Sequence, residues 1–168
     1  EATIIGITGS NGKTTTASLT YALLKDELNG ALGGNIGKSF AQLVAEDKNE
    51  NYVLELSSFQ LDGIETFRPH IAVLTNITPD HLDRYDYDFN KYIASKFRIA
   101  MNQTKEDFFI YDADDEVIGK WLSEHPIQSQ LLPFSLDKKL DEGAYIENKN
   151  IIIKTKINSH TMPITNLQ

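Results

Sequence analysis

The residues best suited to chemistry lie in a glycine-containing loop near the start of the chain. Three small or turn-forming residues precede a lysine there: Gly9, Asn11 and Gly12. Such residues let the backbone curl until several N–H groups face one point, which favours phosphate binding. Lys13 would then reach the terminal phosphates of a nucleotide, and the Thr14 hydroxyl would ligate Mg²⁺.

The charge pattern around this loop supports a phosphate site. Lys13 is the only charged residue in the segment 2–24, so no acid nearby in sequence neutralises it. The usual phosphate-loop pattern has a glycine six positions before the lysine, whereas Ile7 stands there, between Gly6 and Gly9. The alternative interpretation is a glycine-rich turn whose lysine is simply exposed.

One carboxylate and one histidine are candidates for the same site. Glu55 lies among apolar residues near the end of a predicted strand, 52–56, where an unpaired buried carboxylate is costly and Mg²⁺ is a natural partner. The alternative is an edge strand with Glu55 in solvent. His81 follows the next apolar strand through a short loop, so it reaches the same edge of a parallel sheet. A lone loop histidine is usually incidental, and the flanking Asp80 and Asp83 could equally form a solvated turn or a helix cap.

Lys96 occupies an unusual place on a predicted helix. On a helical wheel drawn from Phe89 it falls at the centre of an apolar stripe made by Tyr92, Ile93, Phe97 and Ala100. Burial disfavours the charged form of lysine and makes a neutral, nucleophilic amine more available. The alternative is a snorkelling side chain that covers apolar surface.

The elements that must position these residues alternate along the chain. Strands are predicted over residues 3–7, 52–56, 71–75, 108–111 and 131–135, with helices from the phosphate loop to about residue 28 and over 38–46, 89–101 and 115–123. This alternation predicts an α/β fold, a doubly wound and mostly parallel P-loop sheet flanked by helices. Residues 144–146 and 151–154 flank a turn, so they predict an antiparallel hairpin near the C-terminus.

Composition narrows the class of protein. The 168 residues, 40% hydrophobic and 24% charged, suit one globular domain, and no uncharged apolar run approaches the length of a membrane span. A formal charge of −8 argues against nucleic acid and anionic membranes as partners. The absence of cysteine excludes disulfides, zinc-thiolate sites and thiol nucleophiles and suits a cytoplasmic protein. Because the chain begins at Glu1 rather than Met, we expect a piece of a longer protein, and we expect a monomer.

Five segments together resemble the Mur ligase family. They occur in the order and approximate spacing of that family, and they are residues 6–15, 33–37, 54–61, 76–85 and 96–99. The likeness to the central ATP-binding domain of these enzymes is strong over residues 2–101, and beyond about residue 112 it concerns the fold only. Within the family, Ser57 to Gln60 and the pair Arg84 and Tyr85 resemble the member that adds D-glutamate.

The resemblance implies roles for individual residues. The ATP phosphates would be held by Gly9, Ser10, Asn11, Gly12, Lys13, Thr14 and Thr15. Thr14 and Glu55 would ligate a first Mg²⁺, and His81 a second. Lys96 would be carbamylated by CO₂ and, with Lys13 and His81, would take part in catalysis. The residues that would face a UDP-linked substrate are Asn35, Ser57 and Gln60.

The resemblance also implies a reaction and partners. ATP would activate the carboxylate of UDP-N-acetylmuramoyl-L-alanine as an acyl phosphate, and D-glutamate would displace phosphate to form an amide bond in peptidoglycan precursor synthesis. The family's UDP-binding and amino-acid-binding domains are not in this sequence, and its adenine-holding helix would begin at residues 166–168. A second strand would cover residues 28–32, although that passage is poor in β-branched residues. The rival interpretations are another P-loop NTPase or kinase, and a non-catalytic nucleotide-binding module.

Overall fold

A computed structural model describes residues 2–27, 29–46 and 49–166, and within them the chain forms one nine-stranded sheet. The strands are β1 (Thr3–Thr8), β2 (Gly30–Gly34), β3 (Asn51–Glu55), β4 (Ile71–Leu74), β5 (Phe108–Asp112), β6 (Gln130–Ser135), β7 (Gly143–Glu147), β8 (Asn150–Lys154) and β9 (Ser159–Pro163). Their spatial order is β2-β3-β1-β4-β5-β6-β7-β8-β9. Neighbours from β2 to β7 pair parallel, and β8 and β9 extend the sheet antiparallel.

Helices connect the parallel strands. They are α1 (Lys13–Leu24), α2 (Phe40–Glu46), α3 (Ser58–Asp62), α4 (Phe89–Phe97) and α5 (Glu116–Glu124), with 3₁₀ turns at Leu82–Tyr85, Arg98–Ala100 and Ile164–Asn166. Aspartates start two of them: Asp88 accepts a hydrogen bond from the N–H of Asn90, and Asp115 accepts from the N–H groups of Val117 and Ile118. These caps satisfy N–H groups that have no partner within a helix.

Apolar residues cover both faces of the sheet. On one face Ala17 of α1 packs with Ile7 and Val53, and on the other face Leu54 belongs to a larger cluster that includes Ile118 of α5. Because successive residues of a strand point to opposite faces, the interior strand β3 is buried on both sides. The predicted doubly wound α/β fold with an antiparallel C-terminal edge is therefore confirmed.

Two helix ends and the C-terminal hairpin differ from the sequence prediction. The first helix ends at Leu24 rather than near residue 28, which itself lies outside the described residues. The α-helical part of the fourth helix ends at Phe97, and the predicted continuation to residue 101 is a 3₁₀ turn. The predicted hairpin gains a third strand, β9, whose residues are all exposed and polar or isolated apolar, so no alternating pattern marks it.

The second strand lies at Gly30–Gly34, two residues later than the resemblance implied. Its lack of β-branched residues has a steric cause, since a Cβ on Gly33 would lie 2.4 Å from the carbonyl oxygen of Lys38. Gly34 has a φ of 102°, and a Cβ there would lie 2.3 Å from the carbonyl oxygen of Glu55. Close backbone approach therefore requires glycine at both positions.

The C-terminal helix implied by the resemblance falls at the limit of the described chain. Ile164–Asn166 forms a 3₁₀ turn, and residues 167 and 168 lie outside the described residues. Within the described ranges, no helix is long and apolar enough to cross a membrane.

Candidate functional site

The phosphate loop joins β1 to α1 at the carboxyl edge of the parallel strands. Gly9 has a φ of 145° and Gly12 a φ of 81°, both in the left-handed region that favours glycine. A Cβ on Gly9 would lie 2.0 Å from Oγ1 of Thr75, so a larger residue would have to displace the neighbouring segment. Ile7 is fully buried in β1, and the turn therefore uses glycines that are placed later than the usual pattern requires.

The helix behind this loop begins without a side-chain cap. Gly12 occupies the N-cap position, and the first turn of α1 contains no acidic residue. The N–H groups of the first turn therefore keep their partial positive charge for a ligand. Nζ of Lys13 donates to the carbonyl oxygens of Gly9 and Ser10 at 2.8 and 2.9 Å, which holds the cation over the same loop. This combination suits an anion such as phosphate.

Glu55 meets Thr14 at the end of β3. Oγ1 of Thr14 donates to Oε2 of Glu55 at 2.6 Å, and Nδ2 of Asn35 donates to Oε1 at 3.0 Å. Glu55 is only 2% exposed and lies on an interior strand, so the alternative of a solvated edge carboxylate is wrong. Throughout the described ranges, no lysine, arginine or histidine forms an ion pair with Glu55. A buried carboxylate whose partners are neutral is suited to bind a cation.

Lys96 points into the protein and not toward solvent. It is 2% exposed, and its Nζ donates to the carbonyl oxygen of Gly9 at 2.9 Å and approaches Oγ1 of Thr8 at 3.4 Å. The ammonium also lies 5.3 Å from the centroid of the Tyr92 ring. Burial, and next the charge of Lys13, lower the pKa of Lys96 to about 7. Helical spacing correctly predicted this burial, and the snorkelling alternative is wrong.

A cavity of about 180 Å³ brings several predicted residues together. Its lining contains Lys13, Asn35, Ser57, His81 and Lys96, together with Ser58, Phe59, Asp80 and Tyr92. His81 contributes an exposed imidazole, whose ring centroid lies 5.3 Å from that of Phe59. Its Nε2 is 3.5 Å from Oδ2 of Asp80. The cavity therefore joins the phosphate loop to the loop after β4.

The donor set limits how a metal ion could be held. The described residues contain no group of three or more histidines, cysteines, aspartates or glutamates that could hold a metal. Mg²⁺ commonly uses one or two protein ligands together with substrate phosphates and water. The paired oxygens of Thr14 and Glu55 fit that mode, in which the nucleotide supplies the remaining ligands.

Of the three residues predicted to face the substrate, Asn35, Ser57 and Gln60, Gln60 is the one that does not line the cavity. Its Oε1 accepts hydrogen bonds from the N–H and the Oγ of Ser57 at 2.9 and 3.0 Å, and its own N–H donates to Oγ of Ser57 at 3.3 Å. This reciprocal capping box starts α3 and sets the orientation of Ser57.

Several residues without a predicted role contact the phosphate loop. Thr75 and Asn76 bind the backbone of Asn11, the N–H of Thr78 donates to Oγ of Ser10, and the hydroxyl of Tyr92 lies 3.0 Å from the same Oγ. Tyr92 could have been noticed because it precedes Lys96 by one helical turn on the apolar stripe. Asn76 opens one of the five family-like segments, but its contact with the loop has no signal in local sequence.

A parallel sheet whose first strand leads through a glycine loop into an uncapped helix defines an α/β domain of the P-loop class. The model of the Mur ligase middle domain matches residues 7–166. The chain belongs to the Mur ligase family, as the sequence resemblance predicted.

Curated relatives extend this similarity. The chain is 62% identical over 168 residues to the UDP-N-acetylmuramoylalanine–D-glutamate ligase of Christiangramia forsetii, covering 99% of this chain and 38% of that protein. It is 54% identical over 158 residues to the enzyme of the same name from Bacteroides fragilis, covering 94% of this chain and 36% of that protein. The chain thus spans well under half the length of these relatives.

Solved structures share the fold. A UDP-N-acetylmuramoyl-L-alanyl-D-glutamate–2,6-diaminopimelate ligase matches with a TM-score of 0.70 and 22% identity, over 95% of this chain and 38% of that one. The MurF ligase of Thermotoga maritima in complex with ADP matches with a TM-score of 0.67 and 21% identity, over 96% of this chain and 40% of that one.

Proposed function

We propose that this chain is the ATP-binding part of a ligase that joins D-glutamate to UDP-N-acetylmuramoyl-L-alanine. The names of relatives that are 62% and 54% identical support that substrate pair. Because the chain spans 38% of the first relative, we propose that a UDP-binding domain and an amino-acid-binding domain complete the protein on its N-terminal and C-terminal sides. The chain alone would then bind nucleotide without performing ligation.

The contact between Thr14 and the buried Glu55 carries the proposal. Thr14 lies in the uncapped first turn of α1, directly after Lys13. Triphosphate oxygens bound to the N–H groups of α1 and to Lys13 would complete the coordination of a Mg²⁺ ion held by Thr14 and Glu55. Bound magnesium would neutralise charge as the substrate carboxylate approaches the terminal phosphate.

A second metal position is proposed at His81 and Lys96. The protonated amine of Lys96 would repel a metal ion, whereas its CO₂ adduct would present anionic oxygens. The pKa of about 7 leaves much of the Lys96 amine neutral near pH 7, which favours capture of CO₂. His81 lines the same cavity and offers an exposed ring nitrogen, so the two side chains fit one shared site.

The substrates would meet in this cavity. Asn35 and Ser57 line it and would face the L-alanyl carboxylate of the UDP-linked substrate, with Gln60 orienting Ser57 through the capping box. We propose that this carboxylate attacks the terminal phosphate of ATP and gives ADP and an acyl phosphate. The amine of D-glutamate then attacks the acyl carbon, and the tetrahedral intermediate collapses with loss of phosphate. Lys13 would stabilise charge on the transferred phosphoryl group.

Phosphate release tests the reaction. The complete protein is supplied with ATP, Mg²⁺, UDP-N-acetylmuramoyl-L-alanine and D-glutamate, and each component is omitted in turn. Release that requires both acceptors supports the ligase. Release without either acceptor would instead indicate a plain NTPase, and nucleotide binding without any turnover would indicate a non-catalytic module.

We also propose that the complete protein is a cytoplasmic monomer that binds small molecules and neither nucleic acid nor membrane. The acidic charge of −8 on this chain supports this proposal. Analytical ultracentrifugation of the complete protein tests the monomeric state.

A further inference from the structure

The loop that binds phosphate is tied to the segment that follows β4. The N–H of Thr75 donates to the carbonyl oxygen of Thr8 at 3.0 Å, and the N–H of Ser10 donates to the carbonyl oxygen of Asn76 at 2.9 Å. The hydrogen bonding between β1 and β4 thus continues past the ends of both strands. Residues 75 and 76 therefore hold the backbone of residues 8–11 through hydrogen bonds from outside the loop.

Asn76 makes the most specific of these contacts. Its Oδ1 accepts a hydrogen bond from the N–H of Asn11 at 2.9 Å, and its Nδ2 donates to the carbonyl oxygen of the same residue at 3.0 Å. Oγ1 of Thr75 donates to that carbonyl oxygen as well, at 2.7 Å. Both polar groups of the Asn11 backbone are therefore satisfied by two side chains of another segment.

This pairing determines which N–H groups can face a ligand. The N–H groups of Ser10 and Asn11 are already used by Asn76, so they are unavailable to phosphate in this arrangement. The N–H groups from Gly12 to Thr15 belong to the uncapped helix start and have no acceptor within the helix. The direction of the Asn11 carbonyl sets the orientation of the peptide that carries the N–H of Gly12.

The unusual sequence of the loop explains why contacts from residues 75 and 76 matter. The glycine of the usual pattern is replaced by the buried Ile7, and the loop has a positive φ at Gly9 and at Gly12, with the exposed Asn11 between them. An exposed tip flanked by two flexible glycines has many conformations open to it. Thr75, Asn76 and Thr78 restrict these conformations through hydrogen bonds to Asn11, and the carboxamide of Asn76 makes two of the bonds.

We propose that Asn76 is a positioning residue of the phosphate site, whose carboxamide holds the Asn11 peptide so that the N–H groups from Gly12 to Thr15 face the nucleotide phosphates. This inference rests on the proposed nucleotide-binding function. It differs from a general structural role because the bonds to Asn11 lie at an exposed loop, apart from the apolar clusters that stabilise the sheet.

Variants of the complete protein test the inference by calorimetric titration with ATP and by thermal unfolding without ligand. Asn76→Ala removes both side-chain bonds to Asn11, and ATP affinity is expected to fall about tenfold with little change in Tm. Asn76→Asp keeps an acceptor but turns an anionic oxygen toward the Asn11 carbonyl, so a larger loss of affinity is expected. Asn102→Ala is the matched control, because Nδ2 of Asn102 also donates to two backbone carbonyls, those of Glu65 and Phe67. It should bind ATP like the parent protein.

A kinetic measurement separates positioning from general damage. In Asn76→Ala the KM for ATP should rise about tenfold, while the KM for D-glutamate stays unchanged. Parent-like ATP affinity in Asn76→Ala, or an equal rise in both KM values, overturns the inference.

A second variant at the same position and one in the loop keep every outcome informative. If Asn76→Ala does not fold, Asn76→Asp decides, since it replaces the donor to the Asn11 carbonyl by an anionic oxygen; parent-like ATP affinity in Asn76→Asp overturns the inference. Lys13→Ala distinguishes the two proposals. If Lys13→Ala binds ATP like the parent protein, the proposed function fails as well. If only Lys13→Ala loses affinity, the role of Asn76 alone is wrong.

Discussion

Lys13 and Lys96 donate to the same acceptor, the carbonyl oxygen of Gly9, at 2.8 and 2.9 Å. Two ammonium groups on one oxygen repel each other. Lys96 loses its proton more readily than Lys13 because the buried group has lost its solvation. The lowered pKa of Lys96 follows from burial first and from this neighbouring charge second. The phosphate loop and the buried lysine are therefore electrostatically linked, although 83 positions separate them in sequence (96 − 13).

The stability of the protein should depend on pH through Lys96. The unfolded chain keeps the Lys96 proton up to about pH 10.5, whereas the native protein loses it near pH 7. Between these values the unfolded state binds more protons, so the free energy of unfolding rises with pH, by up to about 1.4 kcal/mol per pH unit. Below pH 7 Lys96 is charged in the native protein, so the full cost of burying this charge reduces the free energy of unfolding there.

Urea unfolding across this pH range checks the slope. Lys96→Met should lose the rise with pH, since methionine carries no proton. Lys91→Met, on the exposed side of the same helix, should keep the slope of the parent protein. Identical slopes in the parent and Lys96→Met would contradict the assignment.

A CO₂ adduct on Lys96 should be detectable in bicarbonate buffer near neutral pH. The neutral amine is the form that attacks CO₂, and the lowered pKa provides it. Native mass spectrometry should show the added mass of one CO₂, lost when bicarbonate is removed. Lys96→Arg should show no adduct, because the guanidinium remains protonated, and an adduct that persists in this variant would assign it to another group.

Glu55→Gln should separate stability from metal binding. Without Mg²⁺ the variant should unfold at the same Tm as the parent or higher, since an amide is less costly to bury than a carboxylate without a cationic partner. The additional rise in Tm that Mg²⁺ gives to the ATP-bound protein should disappear. Thermal unfolding with ATP, with and without Mg²⁺, measures both effects, and the exposed Glu124→Gln is the control. A normal Mg²⁺ effect in Glu55→Gln would exclude this carboxylate as a ligand.

Lys13→Ala should weaken ATP binding about 100-fold or more, through loss of a charge-assisted hydrogen bond to phosphate. The fold should persist, since within the described ranges the side chain of Lys13 donates hydrogen bonds only to carbonyl oxygens of its own loop. Calorimetry with ATP and circular dichroism measure the two effects. Lys25→Ala, exposed at the other end of α1, should bind ATP normally.

Arg68 and Asp107 form a pair whose role is structural. Nε and Nη2 of Arg68 donate to the two carboxylate oxygens of Asp107 at 2.7 and 3.0 Å, and Asp107 is 1% exposed. Burial alone would raise the pKa of Asp107, but hydrogen bonds from Arg68 and Thr104 hold it below 3.8. Arg68→Ala should reduce the free energy of unfolding at neutral pH by about 2–3 kcal/mol, because a buried carboxylate loses its partner.

At low pH the difference in the free energy of unfolding between the parent protein and Arg68→Ala should disappear. The folded pKa of Asp107 is depressed, so its stabilising effect is present above the unfolded value and is lost as the pH falls through the folded value. Urea titrations of the parent protein and Arg68→Ala should therefore converge below pH 3.8. A gap that stays constant down to low pH would point to lost packing instead of lost charge pairing.

Local patterns predicted most of the fold because they report backbone preference and burial. The apolar run that became β3 and the alternation of strands and helices were sufficient for the sheet class. The bounds of β2 were missed because close backbone approach from Lys38 and Glu55 selects glycine there against strand propensity. The last strand, β9, pairs with β8 through backbone hydrogen bonds, which leave no mark on side-chain composition.

The candidate site also has features that local sequence predicts and features that depend on tertiary contacts. The loop from Gly9 to Thr15 could be read from sequence because its function depends on neighbours along the chain. The support that Asn76 gives to Asn11 could not, since the two residues are 65 positions apart and meet only where β1 and β4 pair. The capping role of Gln60 was missed because no helix was predicted after the strand 52–56, whereas α3 begins at Ser58.

The sequence by itself determined the chemical groups of this protein: one cation in an uncharged glycine loop, one carboxylate on an apolar strand and one lysine on an apolar helix stripe. Only the tertiary structure decided the burial, the partners and the pKa of these groups. Glu55 is buried on an interior strand with neutral partners, and Lys96 shares a carbonyl oxygen with Lys13. Charge and pKa depend on distance and desolvation, and both are set by segments that the chain brings together only when it folds.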